Sequence, residues 1–211
     1  MKKILCAGVL AVLITTVTWA VQEEGKVENF QKDWKAVPNS VYWKAVSTTE
    51  VHFAYPPTSG KTKKTESIFT RAMEQSGAMQ YEWSLKWPDL SHSSVFYFFS
   101  KDQANRNSYA IWLWQKTDKD TGKKENILNV DKITAGKLVP VHYLPIELTV
   151  DLWIKMRVKF DPNTGNFTVW RNEEEVVKCT DSKPFKNGSF IGLGTDASPS
   201  AYKDMIIRKL P

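Results

Sequence analysis

The chain has 211 residues, a formal net charge of +6 and a hydrophobic fraction of 42%. Basic residues are spread along the sequence, apart from a short cluster at Lys61, Lys63 and Lys64, which is not the long basic arm that binds nucleic acid. We therefore expect no nucleic-acid partner. The length favours one sizeable domain over two.

The first 20 residues have the pattern of a secretory signal. Lys2 and Lys3 precede an apolar run from Ile4 to about Val17, and small residues follow it. This run is shorter than the roughly 20 residues of a membrane-spanning helix, so we predict a cleaved signal, a secreted or periplasmic location and no span in the mature chain. A retained anchor is the alternative. Cleavage would remove two lysines and leave Cys179 as the one cysteine, which excludes an intramolecular disulfide.

The next elements are a lead segment, residues 21–39, and a single domain, residues 40–211. The lead segment contains the one candidate helix, around residues 27–35. Residues 79–87 alternate apolar and polar side chains, and so do residues 152–160, which is the two-residue period of a strand with one buried face. Strands are predicted at residues 41–43, 51–55, 67–73, 79–87, 95–99, 109–114, 127–130, 152–160, 167–169, 190–193 and 203–209.

Two of these segments, residues 95–99 and 109–114, are apolar at both parities. This pattern is typical of central strands that are covered on both faces. Between residues 160 and 167, the sequence Asp-Pro-Asn-Thr-Gly supplies a chain reversal, because Pro fixes its own φ and Gly accepts a positive φ. About ten short strands with such turns predict an all-β fold, a two-sheet antiparallel β-sandwich or jelly roll.

The hairpin that contains this turn also carries a resemblance. The stretch WIKMRVKFDPNTGNFTVW, followed by GSFIGLGT and by YKDMII, resembles the carboxy-terminal half of laminin-G-like and concanavalin A-like lectin/glucanase domains. The match covers roughly residues 150–210. It implies a concanavalin A-like sandwich and a polysaccharide or glycan partner, although the same architecture serves binding modules, glycoside hydrolases and polysaccharide lyases.

Several motifs of that superfamily are missing from this chain. There is no paired-carboxylate strand of the form E-x-D-x-x-E, no R-x-E-x-R or Q-I-H motif of alginate lyases, and no Gly-Asn-Ser-Gly strand of a secreted sugar-hydrolase family. The Asp-Gly turn of many members is replaced by residues 171–175, which predicts a longer or differently shaped turn. These departures leave it open whether the protein is an enzyme, and we assign no catalytic residues.

A glycan groove is predicted on the concave sheet. Sugars stack their C–H faces on aromatic rings, and their hydroxyls need planar polar partners. Along residues 108–115, Ile111 and Leu113 fit the core, which turns Trp112 and Trp114 to the opposite face, and Tyr97 is placed in the same way. The predicted ligand-binding residues are Arg71, Gln80, Glu82, Tyr97, Trp112 and Trp114.

Each of these assignments has an alternative. The two tryptophans fit equally well as a satellite core under a loop, Gln80 and Glu82 as part of a solvated face, and Arg71 as half of a structural ion pair. We expect no cofactor and no metal. Calcium is the one metal that loop carboxylates could take here, at residues 118–122 and at Asp196. His142 and Tyr143 are predicted to lie in a loop at a cleft rim.

The sequence therefore predicts a secreted carbohydrate-binding protein with a groove on the concave sheet. The first alternative is a polysaccharide lyase or glycoside hydrolase of the same fold. The second is a structural or adhesion domain that binds protein.

Overall fold

The computed structural model describes residues 25–37, 43–53, 66–87, 93–196 and 199–211. This part of the chain forms strands and turns without a helix, and it contains no helix long and apolar enough to cross a membrane. The signal predicted at residues 1–20 lies outside the described residues. The first seven strands are β1 Lys35–Ala36, β2 Trp43–Ala45, β3 Glu50–Phe53, β4 Glu66–Ser76, β5 Met79–Lys86, β6 Ser93–Ser100 and β7 Ser108–Thr117. The others are β8 Lys124–Thr134, β9 Lys137–Pro145, β10 Trp153–Asp161, β11 Asn166–Arg171, β12 Glu174–Thr180, β13 Asn187–Asp196 and β14 Ser200–Lys209.

The strands form two seven-stranded antiparallel sheets. The first sheet has the order β1-β4-β13-β6-β7-β8-β9, and the second has the order β12-β11-β10-β5-β14-β3-β2. In each sheet, three of the six neighbouring pairs of described strands are not consecutive in the sequence, as in a jelly roll. The predicted all-β, two-sheet antiparallel sandwich is confirmed.

The core lies between the sheets and follows from the two-residue period. On β5 every second side chain, from Met79 to Leu85, is buried between the sheets, and β10 does the same from Ile154 to Phe160. Aromatic rings fill the centre: Phe160 stacks on Phe167 at 4.4 Å between ring centroids. Tyr109 approaches both rings at 4.9 Å. Burial of such rings is the main source of stability in a sandwich of this size.

A smaller apolar cluster covers the other face of the first sheet. Ile68, Val95, Tyr97, Ala110 and Ile133 form it, and Val37 and Trp112 pack against it. This second cluster explains why β6 and β7 are apolar at both parities.

The described part of the lead segment, residues 25–37, packs onto the sandwich. Phe30 and Trp34 are core residues, only 1% and 4% exposed. The helix predicted at residues 27–35 is wrong: residues 30–33 form a turn whose amides at Gln31 and Lys32 donate to the Asn29 side chain, each at 3.1 Å. A side chain that binds nearby amides in this way competes with helix formation.

The prediction of a loop around His142 and Tyr143 is also wrong, because both residues lie in β9. This strand is the edge of the first sheet, and an edge strand tolerates Pro140 and Pro145, whose missing amides would weaken a central strand. The strand was not predicted from the sequence because prolines are rare within strands.

The turn after Arg171 is short. Asn172 and Glu173 alone connect β11 to β12, and both have positive φ, 48° and 69°. Such a two-residue turn matches the twist of the flanking strands. The turn is therefore not lengthened, and Glu173 takes a left-handed conformation that glycine usually adopts.

Buried Gln75 connects the two sheets. Its Oε1 accepts hydrogen bonds from the Tyr81 hydroxyl of the second sheet at 2.7 Å and from the Phe99 amide at 2.8 Å, and its Nε2 donates to the Phe190 carbonyl at 2.8 Å. Gln75→Leu is expected to lower the free energy of unfolding by about 2–4 kcal/mol, since three buried groups would lose their partner. Urea denaturation measures the loss.

Gln115→Leu is the matched control, because Gln115 is half-buried and bonds only the Asn126 side chain, at 3.1 Å, among the described residues. We expect it to cost less than about 1 kcal/mol. Equal losses in the two variants would show that the Gln75 network does not connect the sheets energetically.

Candidate functional site

A groove lies on the outer face of the first sheet, beside the smaller apolar cluster. Its volume is ≈ 450 Å³, within the usual range of small-ligand sites. The residues that line it are Val37, Ile68, Tyr97, Ala104, Asn105, Arg106, Trp112, Ile133, Gly136 and Leu138.

The strand register builds the floor of the groove. One row across the sheet runs through Thr70, Gly192, Tyr97, Ala110 and Asp131. The row has room above it because Gly192 carries no side chain: a Cβ there would lie 3.0 Å from Asn105 Nδ2 and 3.4 Å from the Tyr97 ring.

The next row is parallel to the first and brings in the tryptophan. It runs through Ile68, Gly194, Val95, Trp112 and Asn129. The Trp112 ring meets the Tyr97 ring edge to face, with centroids 6.0 Å apart and planes at 85°. The floor thus has two adjacent aromatic rings, Tyr97 and Trp112, and a glycine of β13 in each row.

The loop between β6 and β7 forms one wall. The Asp102 carboxylate accepts hydrogen bonds from the amides of Arg106 at 3.0 Å and Asn107 at 3.2 Å, which holds the loop in a tight turn. Asn105 has a φ of 55°, a conformation that asparagine tolerates better than most residues, and its side chain is directed over Gly192. The side chain is only 2% exposed.

Several polar atoms on this face are buried and have no hydrogen-bond partner among the described residues. They are Nδ2 and Oδ1 of Asn105, Nε1 of Trp112, Oδ1 of Asn129 and Oδ1 of Asp131. A buried polar atom without a partner costs free energy, so native proteins rarely keep such atoms together unless something else satisfies them. Together they offer both donors and acceptors, as a hydroxyl-bearing ligand requires.

Asp131 carries the one buried charge of this face in the described chain. It is 3% exposed, and burial raises the pKa of its carboxyl to about 6, while the hydrogen bond from the Asn129 side chain offsets part of that rise. Its carboxyl can therefore donate or accept a hydrogen bond near neutral pH.

The groove offers limited means for catalysis. Glycoside hydrolysis needs two carboxyl groups on either side of the bond, and none of the described residues that line the groove carries a carboxyl group. Asp131 lies in the floor row without being a lining residue, and Glu125 shares its face near the start of β8, where it is further from the groove. In the described part of the chain, no three His, Cys, Asp or Glu side chains are close enough to hold a metal ion. The arrangement is suited to binding and, at most, to proton transfer by one carboxyl.

The structure places the three predicted aromatic residues on one face. Tyr97 and Trp112 line the groove. Trp114 points the same way but lies further along β7, opposite Ile127, and packs against the margin of the main core. It is not among the residues that line the groove.

The prediction that Gln80 and Glu82 share this groove is wrong, because β5 belongs to the second sheet. Gln80 donates to Glu82 at 2.8 Å, and Glu82 also pairs with Arg208. Arg71 is on β4 of the first sheet, but it forms an ion pair with Glu28 of the lead segment. That structural pair was the alternative interpretation of Arg71.

Sequence reasoning missed Asn105, Asn129 and Asp131. The last two occupy alternate positions of β8 together with Ile127 and Ile133, so the alternation of the strand does mark them as residues of one face. Asn105 lies in a loop, where the sequence gives no signal of its position.

Comparison with known proteins supports the fold. The family model described as the 3-keto-α-glucoside-1,2-lyase-like domain matches residues 18–208. The carbohydrate binding module CBM66 from Bacillus subtilis superposes with a TM-score of 0.64 at 14% identity, over 87% of this chain and 97% of that one. No match was found among curated proteins.

Two further structures are similar. A β-glucanase from Bacillus licheniformis gives a TM-score of 0.57 at 13% identity, over 89% of this chain and 99% of that one. A native glycosidic hydrolase gives 0.59 at 13% identity, over 88% and 95%. These likenesses agree with the concanavalin A-like sandwich that the sequence predicts, and at such identities they show the fold alone.

Proposed function

The chain belongs to the family of 3-keto-α-glucoside-1,2-lyase-like domains, and we propose that it is a secreted or periplasmic protein that binds a carbohydrate in the groove on the outer face of the first sheet. The family name refers to a glucoside, and two of the similar folds are named as a carbohydrate binding module and a glucanase. Both point to the same class of ligand.

The observation that carries the proposal is the set of unpartnered polar atoms next to Trp112. A sugar ring has an apolar C–H face and a rim of hydroxyls, so it can stack on an indole while it bonds polar groups at the side. Here the Asn105 amide offers both a donor and an acceptor, and Asp131 offers an acceptor. An apolar ligand would leave these groups unsatisfied, and so the groove favours a polyhydroxylated ligand.

Trp112, Tyr97, Asn105 and Asp131 are the contacts we propose. Arg71, Gln80 and Glu82 are left out of the proposed site, because their partners hold them elsewhere in the sandwich.

A lyase is the second candidate, and the pKa of Asp131 favours it. Elimination beside a keto group needs one base that takes a proton from the adjacent carbon, and a carboxyl that ionises near pH 6 is suited to that step. Hydrolysis is less favoured, since it needs a second carboxyl.

Trp112→Ala is expected to weaken carbohydrate binding about tenfold, since an aromatic platform contributes on the order of 1–2 kcal/mol. Retardation in gels that contain different neutral glucans first identifies a ligand, and calorimetric titration of the wild-type and variant proteins then measures the affinity. Incubation with a 3-keto glucoside, followed by ultraviolet absorbance for the unsaturated ketone that elimination of the glycosidic oxygen would leave, tests the lyase candidate.

Trp170→Ala is the control, because Trp170 lies on β11 of the second sheet, with Arg157 over its ring at 4.4 Å. We expect wild-type affinity from it. A loss of affinity in the Trp170 variant and none in the Trp112 variant would place the binding surface on the other sheet and refute the proposed groove.

A further inference from the structure

A second recess lies on the outer face of the second sheet, on the side of the sandwich away from the groove. Its volume is ≈ 400 Å³. The residues that line it are Glu50, His52, Phe53, Lys86, Asp151, Trp153, Pro199, Ser200, Ala201 and Lys203.

The strand register explains why there is a recess at this point. One row across the sheet runs through Trp153, Lys86, Ala201, His52 and Lys44. Every member except Ala201 has a long side chain. The single methyl group at the centre of the row therefore leaves a depression between Lys86 and His52.

An aromatic ring and two ammonium groups meet at this depression. Trp153 lies directly opposite Lys86, and Lys203 is the diagonal neighbour of Lys86, because Ser84 pairs with Lys203 and Lys86 with Ala201. Diagonal neighbours on paired strands are roughly 7 Å apart, within reach of long side chains. The Lys203 ammonium lies 4.3 Å from the centroid of the Trp153 ring.

Both ammonium groups are accessible. The side chains of Lys86 and Lys203 are 34% and 32% exposed. Lys86 pairs with Asp151 at 2.9 Å, and that carboxylate is itself 67% exposed. Among the described residues, the one carboxylate within 4.0 Å of the Lys203 ammonium is that of Asp204, at 4.0 Å. Glu50 is opposite Lys203 on β3 and also lines the recess, but its carboxylate binds His52 at 2.5 Å.

We propose that this recess is a second saccharide site, separate from the groove, and that it takes an acidic sugar of the uronate class. The sugar carboxylate binds between Lys203 and Lys86, and the ring lies against Trp153. Ammonium–carboxylate hydrogen bonds are stronger than those between neutral groups, and an aromatic ring beside them supplies the apolar contact that a simple anion does not need. The groove on the first sheet lacks a pair of ammonium groups: its one cationic lining residue among the described residues is Arg106, and the buried carboxyl of Asp131 lies in its floor row.

The test uses tetragalacturonate and its methyl ester, which share one backbone and differ in charge. Calorimetric titration at low salt is expected to detect binding of the acid, with at least about tenfold weaker binding of the ester, and 0.5 M NaCl is expected to weaken the binding of the acid strongly. Lys203→Met keeps the apolar stem over Trp153 and removes the charge, and we expect it to weaken binding of the acid at least about fivefold.

Two further variants sharpen the test. Asp151→Asn removes the carboxylate that competes for Lys86 and suits the φ of 63° at this position, so binding of the acid is expected to strengthen about two- to threefold. Lys159→Met is the matched control, since Lys159 is an exposed lysine of the same face outside the recess, and wild-type affinity is expected.

Equal affinity for the acid and the ester, or an unchanged affinity in Lys203→Met, would overturn the second site. Trp112→Ala separates this result from the groove: it is expected to leave tetragalacturonate binding unchanged while neutral glucan binding falls. A parallel loss of both ligands in the Trp112 variant would show one shared site and would also refute the inference.

Discussion

Gly165→Ala is expected to lower the free energy of unfolding by about 3–5 kcal/mol, through backbone strain and a collision together. Gly165 has a φ of +76° in the turn between β10 and β11, a conformation that costs alanine about 1 kcal/mol. A Cβ at this position would collide with the carbonyl oxygen of Asp181. The backbone around Asp181 would therefore have to move.

That movement is costly because Asp181 is a fixed point of the fold. Its carboxylate accepts hydrogen bonds from the Tyr109 hydroxyl at 2.6 Å and from the Lys132 ammonium at 2.8 Å, which join the first sheet to the segment after β12. Its amide donates to the Gly165 carbonyl at 2.9 Å. A shift of Asp181 would strain all three bonds.

Gly122→Ala is the control that measures the cost of the positive φ without a steric collision. Gly122 has nearly the same φ, +68°, but nothing lies within 4 Å of a Cβ built there. We expect this variant to lose only about 1 kcal/mol. Urea denaturation of both variants gives the comparison, and equal losses would mean that the contact with Asp181 relaxes without cost.

The fold was predictable because a sandwich is encoded in local alternation. The apolar positions of β5 and β10 mark a buried face whatever their partners are, and the turn at Asp161–Gly165 fixes one hairpin. The assignment of strands to sheets was not predictable in this way. Alternation shows that one face of β5 is buried, but a jelly roll places sequence neighbours in different sheets. Gln80 and Glu82 were therefore assigned to the wrong sheet.

The groove was only half predictable for a related reason. Tyr97 and Trp112 were identified because their strands are apolar at both parities, which indicates that a second face is covered. Asn105 comes from a loop that crosses over Gly192, and loop placement depends on tertiary contacts. Asp131 reads as an ordinary outward polar residue, because alternation along β8 does not show that this part of the outer face is covered.

Asp131→Asn is expected to stabilise the protein at neutral pH while it weakens carbohydrate binding. The folded protein holds the pKa of this carboxyl at about 6, above the ordinary value of 3.8, so the folded state binds the proton more readily than the unfolded state. The buried carboxylate therefore lowers the free energy of unfolding. This loss is absent below about pH 4, grows as the pH rises to about 6 and is constant above that. Replacing the carboxylate by an amide removes it.

Above pH 6 the variant is expected to exceed the wild type by about 2 kcal/mol in free energy of unfolding, and below pH 4 the two should coincide. Neutral glucan affinity should fall about tenfold, because the lost carboxylate is a charged acceptor for sugar hydroxyls. Urea denaturation from pH 3.5 to 8 and calorimetric titration at pH 7 measure the two effects.

Asp118→Asn is the control with the opposite sign, since hydrogen bonds from Thr121 hold the pKa of that exposed carboxyl below its ordinary value, so removal of the carboxylate should not stabilise the protein at neutral pH. If Asp131→Asn is less stable than the wild type at pH 7, the carboxylate has a partner whose interaction outweighs the free-energy cost of burying the charge. If the variant is more stable and binds glucans as tightly as before, the carboxylate is not a sugar contact. We expect Asp131→Asn to raise stability and to lower glucan affinity. This combination is typical of a binding residue, because a buried charge that destabilises the folded state is kept for its contact with the ligand.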